Sequence, residues 1–181
     1  MSILTSVEKH LTAINTFNAY TFPQAFKEIF LFSYDYLLND GKSHPPLSIA
    51  LFLTLKCNAR CSMCNLMNLL NPKKNELSFD KIDNLLREVA PYKTNITLFG
   101  GEPTMRKDFV DILRRVKTYG LPCGMFTNGT LLKQDLIEKI IELKMNYVAF
   151  SLQGIGDTHD SIVKLKGAYE KIVKAIREFV S

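Results

Sequence analysis

Three of the four cysteines fall within eight residues, Cys57-Asn58-Ala59-Arg60-Cys61-Ser62-Met63-Cys64, directly after an apolar run. Thiolates are soft ligands that select iron–sulfur clusters, zinc or copper. Gaps of three and then two residues let a tight loop aim three sulfurs at one centre. Structural zinc wants a fourth ligand. A cubic cluster held by three thiolates keeps one iron free to bind something else. The remaining cysteine, Cys123, opens a predicted strand, so it is expected at the far end of the sheet as a buried core thiol. The opening "MSILTSVEKHL" lacks the basic leader and long apolar stretch of a signal peptide. A cytoplasmic, reducing setting is therefore expected, where clustered cysteines bind metal or do redox work rather than form disulfides.

Three further stretches have chemical potential. In "GGEPT" (100–104), Gly100 and Gly101 carry no Cβ, so a ligand could approach the main chain closely, and Pro103 fixes the exit of the chain. In "TNGT" (127–130), Asn128-Gly129 is a turn pair that taken alone says little. In "SLQG" (151–154), Ser151 could cap an element or bond a ligand, and Gln153 is polar but uninformative by itself.

Each of these stretches follows a predicted strand. "SIALFLTL" (48–55) is a nearly continuous apolar run, as a strand buried on both faces would be. "NITLF" (95–99), "CGMFT" (123–127) and "YVAFSL" (147–152) read as the next three strands. Between and after them lie helical patterns: "SFDKIDNLLREVA" with Ser78 as N-cap, "DFVDILRRVKTYG" (108–120) closed by Gly120, "KQDLIEKIIELKM" (133–145) and "AYEKIVKAIREFV" (168–180). Four alternating strand–helix units predict an α/β fold with a parallel sheet and right-handed crossovers, either a partial (β/α) barrel or an open doubly wound sheet. The four motif loops would then share the carboxyl rim, where loops converge and helix N-termini point.

Residues 1–46 are expected to form a helical extension and linker, ahead of a core at 47–181. Phe22, Phe26, Ile29, Phe30, Tyr34, Leu37 and Leu38 fit one helical face, packed on the main domain or lying on a membrane or partner. Gly41, Pro45 and Pro46 mark the linker. The composition is that of a globular chain of 181 residues, 46% apolar and 23% charged. The net charge of +5 arises after residue 50, where twenty basic residues face fourteen acidic ones, against three and four before it. That excess is spread rather than clustered, so it gives no strong nucleic-acid signal. No run of apolar residues is long enough to span a membrane.

In this order and at these strand ends, "CNARCSMC", "GGEPT", "TNGT" and "SLQG" resemble the radical S-adenosylmethionine (radical SAM) superfamily, near the branch of the molybdenum-cofactor cyclase and the SPASM-type peptide maturases. The resemblance covers roughly residues 48–181. It implies a partial (β/α) barrel and a 4Fe-4S cluster on Cys57, Cys61 and Cys64, whose fourth iron is chelated by S-adenosylmethionine. It implies that Gly100, Gly101 and Glu102 receive the methionine amino group largely through backbone, with Pro103 beside them. Met63 would stand near the adenine, and Thr127, Asn128 and Ser151 would line the cofactor. An external donor such as a flavodoxin or ferredoxin would supply the electron. Reductive cleavage would give a 5′-deoxyadenosyl radical that takes a hydrogen atom from substrate.

Two departures stand out. Gln153 occupies a position where the family often has Asp, whereas His159-Asp160 follows the family pattern and is expected to be structural, at the start of the fourth helix. The family barrel also continues beyond four strand–helix units. A fragment of a longer chain, or a short form completed by a partner or its own copy, is therefore expected. The alternative is a non-catalytic iron–sulfur or zinc protein, for which "GGEPT" and "TNGT" would have no purpose.

Overall fold

A computed structural model describes residues 45–64 and 76–180, together with Phe30, Ser33, Tyr34 and Leu37. The chain divides into two compact units, Met1–Pro45 and Pro46–Ser181. In the first, the four described positions before Pro45 are helical, and Phe30, Tyr34 and Leu37 are exposed. The rest of the expected aromatic helix, and with it any membrane or partner contact, lies outside the described residues. Among the described residues no helix is long and apolar enough to cross a membrane.

The second unit runs β1 (Ser48–Thr54), α1 (Phe79–Val89), β2 (Asn95–Gly100), α2 (Phe109–Thr118), β3 (Cys123–Thr127), α3 (Gln134–Glu142), β4 (Tyr147–Phe150), α4 (Asp157–Val163) and α5 (Ala168–Val180). The four strands pair in chain order, all parallel. Strand–helix alternation forces this, because each crossover returns the chain to the same edge direction. It is the expected partial (β/α) barrel.

The helices form where an apolar stripe recurs at helical spacing. Ile82, Leu86 and Val89 of α1 are buried, as are Phe109, Ile112, Leu113 and Val116 of α2 and Ile137 and Ile140 of α3. The Ser78 hydroxyl caps α1 by accepting from Lys81 N–H. Gly120 closes α2 in the left-handed region (φ 65°), donating to the Lys117 carbonyl, while Leu121 reaches back to Val116. α3 stops three residues short of the expected Met145, because Lys144 takes the same left-handed conformation (φ 54°) without being glycine. Composition gives little warning of such a stop.

One sheet face, with Leu51, Leu53, Ile96, Leu98, Cys123 and Met125, packs on those stripes and forms the core. Each large side chain removed from water there stabilises the fold by about 1.5–3 kcal/mol. The opposite face is open, which corrects the expectation that β1 is buried on both sides: Ala50 and Phe52 are exposed. That face looks into a barrel interior that four strands do not enclose. It carries a row of rings, with Phe52 and Phe99 centroids 4.9 Å apart and Phe99 and Phe126 5.5 Å apart. Below the row, the Tyr147 hydroxyl bonds Thr97 Oγ1 at 2.8 Å, and its ring lies over Gly124, where a Cβ would stand 2.2 Å from it.

β4 ends at Phe150, two residues earlier than expected. The separate helix α4 was not legible in the sequence. At seven residues, flanked by Gly156 and Gly167, it is too short for a periodic pattern to stand out.

Candidate functional site

β1 delivers the cysteine loop and β2 delivers the glycine pair beside it. Gly101 N–H donates to the Thr54 carbonyl at 2.9 Å and Glu102 N–H to the Lys56 carbonyl at 2.8 Å. Gly100 has φ 146°, and a Cβ added there would stand 2.4 Å from Thr54 O. One on Gly101 would stand 2.3 Å from Lys56 O. The close approach that the glycines allow is therefore made by the backbone of β1 itself. They let "GGEP" lie flush against the start of the cysteine loop.

Glu102 is fully buried. Its Oε1 accepts from Thr104 N–H, the Thr104 hydroxyl (2.6 Å) and the Thr127 hydroxyl (2.8 Å), and its Oε2 accepts from Asn128 N–H (2.8 Å). Four donors thus converge on one carboxylate and lock the loops after β2 and β3 together. The buried Thr127 hydroxyl also accepts from Gly129 N–H, and its carbonyl accepts from Ser151 N–H at 2.9 Å. That last bond extends the brace to β4. Pro103 opens a single 3₁₀ turn. Arg106 follows and ties the turn to β1 by donating to the Leu53 carbonyl at 2.8 Å, its guanidinium held by Asp108. That hydrogen bond from Arg106 holds the Asp108 carboxyl below its ordinary range.

The cysteine loop is fastened from the other side by α4. Arg60 N–H and Ser62 N–H donate to the carbonyls of Val163 and Ile162, at 3.0 and 2.9 Å. These are the last carbonyls of a helix, which lack intrahelical donors. Ala59 is buried against Val163 and Ala168, with Cys57, Cys61 and Leu165 packed around them. His159 and Asp160 have the structural role expected of them. His159 Nδ1 accepts from Gln153 N–H at 3.0 Å, fixing the loop after β4. Asp160 accepts from Gly167 and Tyr169 N–H and so caps α5; these bonds, Tyr169 foremost, hold its carboxyl below the ordinary range.

Cys57, Cys61 and Cys64 are free thiols, each partly exposed. Burial pushes the Cys57 thiol up, with the charges of Glu102 and Cys64 adding to it. Burial raises Cys61 as well, and Cys57 and Cys64 add to that. Among the described residues no three His, Cys, Asp or Glu side chains converge as ligands of a single ion would. Met63 is 56% exposed. Cys123 is fully buried at the opposite end of the sheet, as expected, and its thiol is pushed up to about 12.

Three site residues were not singled out from the sequence: Asn58, Thr130 and Arg106. Asn58 Nδ2 donates to Thr130 Oγ1 at 2.8 Å and Asn58 Oδ1 accepts from Asn128 Nδ2 at 2.9 Å, so the cysteine loop and the loop after β3 are joined by side chains. Their types are ordinary loop chemistry, and only the pairing of β1, β2 and β3 brings them together.

Residues 51–181 match the family model of the Radical SAM superfamily. The chain belongs to that superfamily. Proteins similar to it include the Fe-coproporphyrin III synthase of Methanosarcina barkeri, 32% identical over 142 residues, covering 78% of this chain and 35% of that protein. The probable GTP 3′,8-cyclase of Thermococcus kodakarensis is 31% identical over 146 residues, covering 80% and 47%. The chain thus spans less than half the length of these curated relatives. Among solved structures, Streptococcus suis SuiB bound to the precursor peptide SuiA superposes with a TM-score of 0.66 at 20% identity, covering 80% of this chain and 32% of that one. Native anSMEcpe with bound AdoMet gives 0.61 at 21% identity, covering 75% and 41%. These superpositions show that the fold is shared.

Proposed function

We propose that this chain is the core of a radical SAM enzyme, holding a 4Fe-4S cluster on Cys57, Cys61 and Cys64 and S-adenosylmethionine at the adjoining rim. The observation that carries the proposal is the pairing of a short loop bearing three partly exposed thiols with the "GGEP" strand, through Gly101 to Thr54 and Glu102 to Lys56. The donor set fits the group. Three soft sulfurs and no fourth cysteine within reach suit a cluster that leaves one iron for a small molecule, since Cys123 lies at the other end of the sheet.

When bound, the cluster and S-adenosylmethionine held by these residues would supply the electron and the reductive radical chemistry that abstracts a hydrogen atom from substrate. The chain's own residues position and shield. The bonds to Ile162 and Val163 hold the cysteine loop in place. Gly100, Gly101 and Glu102 would receive the methionine end through main-chain atoms, because the Glu102 side chain is committed to Thr104, Thr127 and Asn128. Pro103, Thr127, Asn128 and Ser151 line the same rim, and Met63 would pack near the adenine. The rings of Phe52, Phe99 and Phe126 lie just beneath it, an uncharged wall facing the space where a substrate would sit. A small external donor of the flavodoxin or ferredoxin kind would deliver the electron.

The test is anaerobic reconstitution. The protein should turn brown and hold about four iron and four sulfide per chain. With a reductant and S-adenosylmethionine it should release 5′-deoxyadenosine. Stoichiometric zinc and no iron–sulfur uptake would favour the non-catalytic metal-binding reading instead.

A further inference from the structure

Asn58, Asn128 and Thr130 form a closed ring of hydrogen bonds beside the first cysteine. Thr130 N–H donates to Asn128 Oδ1 at 3.0 Å. A backbone N–H can only donate, so this bond decides which end of the Asn128 amide is oxygen. The Thr130 hydroxyl donates to the same oxygen at 2.7 Å, and having one hydrogen it can only accept from Asn58 Nδ2, at 2.8 Å. Asn58 Oδ1 then accepts from Asn128 Nδ2 at 2.9 Å. Each side chain donates once and accepts once around the ring, and the direction of every bond follows from the first.

One consequence reaches the cysteine. With its oxygen turned to Thr130, the Asn128 amide presents its NH2 to the other side. One hydrogen goes to Asn58, and the same nitrogen lies 3.8 Å from Cys57 Sγ, within reach of a sulfur acceptor. Ala59 N–H, 3.4 Å from Cys57 Sγ, is a second donor to that sulfur. The Asn128 backbone is itself fixed by Glu102, so the amide is held at both ends.

We propose that Asn128 is a positioning residue for the cluster: its amide, locked by Asn58 and Thr130, donates to the Cys57 sulfur and raises the reduction potential of the bound cluster. The inference rests on the 4Fe-4S reading above. Reduction adds negative charge that is shared by the cysteine sulfurs. A donor to one of them stabilises the reduced form more than the oxidised one. Neighbours of this kind, outside the ligand set, commonly tune a metal centre.

The test compares wild type, Asn128→Ala, Asn58→Ala, Thr130→Val and the Asn58→Ala/Asn128→Ala double variant, each reconstituted anaerobically, assayed for iron and titrated potentiometrically with EPR detection. Asn128→Ala should keep its cluster and move to a more negative midpoint potential. Asn58→Ala and Thr130→Val should move it the same way by less, because the donor stays but loses its clamp. The double variant should match Asn128→Ala alone, since Asn58 acts only through Asn128. An unchanged potential in a fully loaded Asn128→Ala protein overturns the inference. Should that variant fail to load, unchanged potentials in Asn58→Ala and Thr130→Val overturn it equally. A wild-type chain that takes up no cluster refutes the proposed function instead. Without metal, exchange of the Asn128 side-chain amide should be slow in wild type and faster in Asn58→Ala; equal rates would show that the ring does not hold in solution.

Discussion

The Glu102 carboxylate accepts the backbone N–H of Asn128 at 2.8 Å, and through that bond the loop after β2 holds the loop after β3. Both loops adjoin the cysteines, so the shape of the rim depends on one buried acid. Among the described residues, no buried side-chain polar atom lacks a hydrogen-bond partner, so nothing nearby is free to replace it.

Glu102→Gln tests this brace. Glutamine keeps the size but turns one acceptor oxygen into a donor that must face Thr127, Thr104 or Asn128, all donors themselves. A buried mismatch of this kind costs about 2–3 kcal/mol. For a chain of this length that is a Tm lower by roughly 5–10 °C. The metal-free chain should show it in thermal denaturation, since the bonds are internal to the protein. A Tm within a degree of wild type would mean that the acid does not act as a brace.

Gly101→Ala should be damaging for a steric reason. The new Cβ would stand 2.3 Å from Lys56 O, a backbone atom with little room to retreat. Overpacking typically costs 1–3 kcal/mol, about that much here, and the displaced strand would carry the cysteine loop with it. Iron content after reconstitution should fall together with stability in urea. A variant that loads and melts like wild type would show that β1 and "GGEP" separate without consequence.

The four cysteines should differ in reactivity. Iodoacetamide should label Cys57, Cys61 and Cys64 in the folded, metal-free chain and leave Cys123 untouched until the chain unfolds. The thiolate is the reacting form, and the Cys57 and Cys61 thiols are raised. Their labelling should therefore be slow at neutral pH and accelerate as pH climbs past the ordinary thiol range. Peptide mapping over time reads this directly; early labelling of Cys123 would contradict its burial.

Cys123 also predicts an alkaline effect. Its folded value of about 12 lies above the ordinary value near 9. Between those values the folded state holds a proton that the unfolded state has lost. The stabilisation it contributes is complete below about pH 9 and lost as pH rises toward 12, at up to about 1.4 kcal/mol per pH unit. Wild type should therefore lose stability relative to Cys123→Ala when both are unfolded in urea from pH 8 to 11. Parallel curves would refute the shift.

Asp160→Ala should loosen the start of α5 and, through α4, the cysteine loop. The carboxyl lies below its ordinary range, so its stabilisation is present above the unfolded carboxylate value and fades as pH falls through the folded one. The variant should melt lower than wild type at pH 7 and converge with it in acid. A constant gap across pH would assign the effect to something other than the charge.

Much of the architecture was legible because it is local. Ser78 and Gly120 mark the ends of α1 and α2 by capping chemistry that needs no distant partner. The apolar run "SIALFLTL" marks β1 as a strand, although of its apolar residues only Leu51 and Leu53 are buried, on one face. The order of "CNARCSMC", "GGEPT", "TNGT" and "SLQG" after successive strands already placed four loops on one rim, because parallel strands all end on the same side.

Sequence alone thus determined the parallel α/β core, the three clustered thiols and their separation from Cys123, since periodicity and spacing are properties of neighbours in the chain. Only the tertiary structure decided what fills the space beside Gly100 and Gly101, where the side chain of Glu102 turns, and which oxygen of Asn128 faces Thr130. Those answers depend on atoms brought close by strand register and helix packing. Residues as far apart as Asn58 and Thr130 become partners only once β1, β2 and β3 have paired.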